Sequence, residues 1–96
     1  MSPEELHDEM VNKVEFDDAY IDATANAFNA MTPEDLARFM TKLSETQASY
    51  TTEQRTTLQK INLALAQKPA FNESLKRFSD WRAAQEAAKA QPEDAP

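Results

Sequence analysis

Glycine is absent from all 96 residues of this chain. At an average usage of about 7%, roughly seven would be present in a typical protein of this size. Any residue needing positive φ would have to be Asn or Asp, and no hairpin can turn on glycine. Glycine-rich phosphate cradles are excluded, and with them P-loop and dinucleotide-binding functions. Cysteine is also absent, which excludes disulfides, thiolate catalysis and Cys-ligated zinc or iron–sulfur sites. Only one histidine is present, His7. No apolar run approaches the roughly eighteen residues that cross a bilayer. The opening Met-Ser-Pro-Glu-Glu has neither the basic n-region nor the apolar h-region of a secretory signal, so the expected location is the cytoplasm, without membrane contact.

Catalysis lacks its parts. Ser or Thr nucleophiles need a base and an orienting group, and His7 is the only imidazole, with carboxylates for neighbours. Glu4-x-x-His7 has the i, i+3 spacing of di-iron bundles, but those sites need two such motifs and two further Glu residues. We read His7 as a solvated residue at a helix start. Asp17, Asp18 and Asp22 lack the alternating oxygens and central Gly of a calcium loop. Asn72-Glu73-Ser74 matches a glycosylation sequon without a secretory context. No enzyme activity, cofactor or metal is expected.

What is present is helix punctuation. Ser2-Pro3-Glu4-Glu5 and Thr32-Pro33-Glu34-Asp35 each place a hydroxyl at N-cap, Pro at N1 and acids in the first turn. Thr51 and Gln54 have capping-box spacing. The echo between these openings does not keep one period along the chain, so convergent capping explains it better than duplication. Five helices are predicted, over residues 3–14, 17–31, 33–46, 52–67 and 70–90. Asp17 is a possible N-cap for the second, and the break between the first two has no Gly or Pro to mark it. The cleanest apolar stripe is Leu36, Phe39, Met40 and Leu43. Lys68-Pro69 ends the fourth helix, since the residue before Pro is pushed out of the α region. The expected fold is all-α: a compact bundle of four to five short helices in one domain over 1–90, with a disordered C-terminal tail at 91–96. No segment has a sustained period-2 pattern, so no sheet is expected. Phe39 and Phe78 sit centrally on their stripes, and each should cost roughly 3–5 kcal/mol on truncation to Ala if fully buried.

Charge is polarised. Ten of the seventeen acidic residues lie in the first 35 positions, against Lys13 alone, while residues 36–90 carry nine bases and five acids. Those bases are interleaved with acids over three helices, so they form no stripe that would displace counterions from DNA or RNA. They could instead face the acidic arm, within one subunit or across a dimer. Like-charge i, i+4 pairs (Glu4/Asp8, Glu5/Glu9, Asp18/Asp22) cost a few tenths of a kcal/mol each. Nothing in folding is seen to need that cost, and neutralising these acids should leave the fold intact or slightly more stable.

The expected function is therefore a non-catalytic protein-binding module, a small acidic regulator, adaptor or inhibitor. Glu5, Asp8, Glu9, Asp18, Asp22 and Tyr20 would meet a basic partner, steering the encounter. Apolar anchors would come from Met10, Phe16, Tyr20, Phe28 or Trp81. One alternative is a nucleic-acid mimic that inhibits a DNA- or RNA-binding protein, as phage and mobile-element inhibitors do; another is a secretion or assembly chaperone. A mimic would set its carboxylates in two parallel rows, and an adaptor would hold an apolar groove with a charged rim. A homodimer is also expected. The core is small, and Val11, Ile21 and Leu63 fall off the main stripes.

Overall fold

The computed structural model describes residues 2–90. Its helices are α1 (Pro3–Val11), α2 (Asp18–Ala30), α3 (Pro33–Thr46), α4 (Thr52–Leu65) and α5 (Pro69–Ala90), with a 3-10 turn at Gln47–Ser49 after α3. No strand occurs among the described residues. The predicted tail at 91–96 lies outside them.

Each helix start follows from local chemistry. Ser2 Oγ accepts from the Glu5 N–H at 3.0 Å, and the Ser2 N–H donates back to Glu5 Oε1 at 2.9 Å, a reciprocal capping box. Thr51 and Gln54 repeat it at 3.0 and 2.9 Å. Asp17 accepts from the Tyr20 N–H at 2.9 Å, and Thr32 from the Asp35 N–H at 3.1 Å. All four of these caps are the ones read from the sequence.

Helix ends are less ordinary, because the chain has no glycine to take a left-handed C-cap. No described residue has positive φ. Instead α1 stops at Val11, where the Asn12 side chain donates to the Asp8 carbonyl at 2.8 Å. Extension of α1 to residue 14 is thereby corrected, and Val14 leaves the apolar face to stand 91% exposed. At the end of α2, Met31 turns into extended backbone; α3 tightens into the 3-10 turn. The fourth helix closes at Leu65, two residues short of the predicted 67.

One buried cluster draws on all five helices, including Leu6, Ile21, Leu36, Ile61 and Phe71. Phe28 stands at its centre, edge-on to Phe39 at 4.9 Å and to Phe71 at 5.2 Å between ring centroids. Against it, α1 packs on α3 and α4, α2 on α4 and α5, and α3 on α5. No close packing joins α3 to α4. Lys68 reaches Asp18 at one end of α2 and Arg77 reaches the Asn29 carbonyl at the other, so α2 and α5 run parallel. At 1.5 Å per residue α5 is about 33 Å long against about 20 Å for α2, and its last turns overshoot the bundle.

Burial corrects several expectations. Val11 and Ile21 are core residues, not an outer surface, and so are the proposed anchors Met10 and Phe28. Phe39 is buried as predicted; Phe78 is only partly covered, stacked on Trp81 at 5.9 Å. No helix among the described residues is long and apolar enough to cross a membrane.

Candidate partner-binding surfaces

His7 is 2% exposed, contrary to the solvated position predicted. The Ser2 cap starts α1 at Pro3, which places His7 about one turn in on the inward face, beside Leu6 and Met10. Its Nδ1 donates to Asp8 Oδ1 at 2.9 Å, since a carboxylate can only accept. Its Nε2 meets the Tyr50 hydroxyl and lies 3.2 Å from Thr46 Oγ1. Thr46 in turn reaches the Tyr50 hydroxyl at 2.8 Å and donates to the Lys42 carbonyl at 2.7 Å. The ring thus ties α1 to the end of α3 and to the segment leading into α4. Glu4 faces elsewhere, toward Arg38 at 2.6 Å, so Glu4 and His7 do not converge.

The acidic residues are distributed among internal partners. Arg38 grips Glu4 with two N–H groups, at 2.6 and 3.1 Å, and stands 3.5 Å from Asp35. That fork holds the Glu4 carboxyl below its ordinary range. Glu5 is lowered by the Ser2 cap, and Asp8 chiefly by its hydrogen bond with His7. Lys68 sits between Asp18 at 3.0 Å and Asp22 at 2.8 Å, where a cation would otherwise be drawn, and both bonds raise its own pKa. Folding does use these acids, then, and the view that it has no need of them is corrected. Two of the nine bases of the second half, Arg38 and Lys68, meet the acidic arm within one chain, while Lys76 and Arg82 pair with Asp80 and Glu86 on their own helix.

These contacts do not withdraw the carboxylates from solvent. Asp18 remains 81% and Asp22 56% exposed while paired. Phe16, in the link between α1 and α2, and Tyr20, in the first turn of α2, are both half-buried, with ring centroids 6.3 Å apart. Glu15 and Asp17 border a shallow hollow with these rings, and Lys13 lies 4.3 Å over the Tyr20 ring centroid. Burial pushes the Tyr20 phenol upward in pKa and nearby Glu9 adds to it, against the Thr24 hydroxyl. Thr24 Oγ1 donates to the Tyr20 carbonyl at 2.7 Å, and the Tyr20 hydroxyl oxygen, shielded from solvent, has no partner at hydrogen-bonding geometry. Of the six residues named from the sequence, Glu9 and Tyr20 meet here; Asp18 and Asp22 lie on the same helix as Tyr20, and Glu5 and Asp8 sit farther back on α1.

A second surface went unread in the sequence. Because α3 and α4 do not close on each other, they leave an apolar groove of about 290 Å³. Its floor is Phe28, Phe39, Leu65 and Phe71; Met40 and Leu43 form one wall, and Leu58, Gln59 and Asn62 the other. The rim is of amides, not of charges. Beyond Leu43 and Leu58 it opens into a shallower hollow at Tyr50 and Arg55. Met40 and Leu43 share the apolar stripe of Leu36 and Phe39 but are only partly buried, because α4 does not close over them.

Comparison with models of known protein families, with curated proteins and with solved structures finds no match for this chain. Function therefore rests on these two surfaces alone.

Proposed function

We propose that this protein is a non-catalytic binding module, a single helical domain whose α1–α2 end receives a basic segment of another protein in the cytoplasm. The observation that carries this is Lys13 over the Tyr20 ring, beside Phe16 and fringed by Glu9, Glu15 and Asp17. A partner's Lys or Arg that displaces Lys13 from this aromatic face gains both ring and carboxylate contacts. The internal ion pairs do not oppose it, because exposed pairs are worth at most about 1 kcal/mol and exchange readily. Asp8, Asp18 and Asp22 add long-range attraction, which sets encounter rate more than final affinity.

One feature favours a module over a phosphate mimic: Lys13, Arg38 and Lys68 interrupt the acids, breaking the rows of carboxylate that a mimic needs. The α3–α4 groove is apolar but has no charged rim, so it does not seat the basic segment. Self-association as a homodimer belongs to the same proposal.

The test is a backbone-amide NMR titration with a short peptide of alternating Lys and Arg at low salt. Expected shifts concentrate at Lys13–Asp22. Shifts scattered over all acidic positions alike, or none, would remove the proposed site.

A further inference from the structure

We infer that the α3–α4 groove is the homodimer interface, and that a second copy of this chain fills it with Leu63. This rests on the self-association just proposed and names its surface. Among large apolar side chains only Val14 and Leu63 are strongly exposed in the described structure, and Leu63 is 62% exposed. Leu63 stands one turn beyond Gln59 on the same face of α4, so an exposed knob adjoins an apolar hole. A knob beside its own hole is what a twofold axis requires, since each copy then fills the other's groove.

Charge points to the same occupant. The chain has seventeen acids and a net charge of −7, so most faces repel a second copy. No carboxylate lines the groove or the hollow that continues it, and Arg55 is the one charged residue there. A basic partner has nothing to hold on this face; a like copy meets least repulsion here. If the two α4 helices cross antiparallel with Leu63 over the partner's 58–59 level, Arg55 falls opposite the 66–67 level, just past the C-terminal end of the partner's α4. Helix C-termini carry free carbonyls and attract a cation.

Sedimentation equilibrium from micromolar to submillimolar concentration tests this on the full chain, with Leu63→Glu, Leu63→Ser and Val14→Glu beside wild type. Wild type should approach twice the 10.8 kDa chain mass. Leu63→Glu should weaken the dimer about a hundredfold or more, Leu63→Ser less, and Val14→Glu not at all. Leu63 is a surface residue, so circular dichroism should show all variants folded. A dimer undisturbed by Leu63→Glu overturns the groove while leaving self-association standing. Equal loss in Val14→Glu also overturns it, pointing to net charge instead of this face. A wild type monomeric throughout overturns both, and leaves the groove to a helix of another protein.

Discussion

Phe39→Ala is the sharpest test of the packing. The side chain is 5% exposed and touches two rings, Phe28 edge-on at 4.9 Å and His7 at 6.0 Å. Truncating a buried Phe costs about 3–5 kcal/mol, including the cavity left behind. Lost edge contacts belong to that figure, while the adjoining α3–α4 groove lets water reach part of the void and holds the cost near 3–4 kcal/mol. A domain of this size has about 5–14 kcal/mol in total. With a urea slope of about 1.5 kcal/mol/M, the midpoint should fall by about 2 M. Phe78→Ala is the internal comparison. Phe78 is only partly covered and stacks on Trp81, so about 1.5–2 kcal/mol and about 1 M are expected. The earlier expectation of equal costs is thereby replaced. Urea titrations followed by circular dichroism measure both, and Phe39→Leu serves if the Ala variant is unfolded in water. A Phe78 shift equal to or larger than that of Phe39 would refute the assigned helix phases.

Removing the Tyr50 hydroxyl with Tyr50→Phe leaves His7 with one fewer partner at a buried site, and denaturant titration should show a loss of about 1–2 kcal/mol. Acid should destabilise the fold through Glu4, Glu5 and Asp8. Each is lowered in the folded state, so its contribution is present above the ordinary values of 4.5, 4.5 and 3.8 and is lost as pH falls through the lower folded values. Thermal melts should accordingly decline below about pH 5, and less steeply in Arg38→Gln, which already lacks the Glu4 pair. Lys68→Gln should lower Tm at low salt by freeing the Asp18/Asp22 repulsion, with added salt restoring most of it. A Lys68→Gln melt that does not respond to salt would show that the lysine acts through packing of its stem.

Local chemistry was legible in the chain; distance was not. Ser2, Asp17, Thr32 and Thr51 cap as read, because a cap needs only residues three positions apart. The end of α1 escaped notice because Asn12 stops it with a side chain, where Gly or Pro would have announced it. His7 pairs with Tyr50, 43 positions away, and Lys68 with Asp18, 50 positions away. No periodicity carries such separations, so a buried imidazole passed for a solvated one, and acids bound to Lys68 and Arg38 passed for free. The groove was hidden for the same reason: Leu36 and Phe39 go to the core and Met40 and Leu43 to its wall, and only the spread between α3 and α4 divides them. Tyr20 was singled out as an anchor, and the cation over its ring came only with the fold.

The claim that the α1–α2 end receives a basic partner is most directly tested by fluorescence anisotropy of the Lys/Arg peptide across a salt series. One variant neutralises Glu5, Asp8, Glu9, Asp18 and Asp22 to Gln or Asn. A charge-matched variant neutralises Glu34, Glu45, Glu53, Glu73 and Glu86, with circular dichroism to confirm both folds. Because Asp8, Asp18 and Asp22 serve internal contacts, the first variant should lose some stability instead of gaining it. Its association rate, read from the approach of the anisotropy to equilibrium, should fall at least tenfold at low salt, with a flattened salt dependence, while that of the matched variant stays within about twofold of wild type. Equal slowing in the two variants would contradict the account, showing that net charge alone, and not the α1–α2 end, draws the peptide.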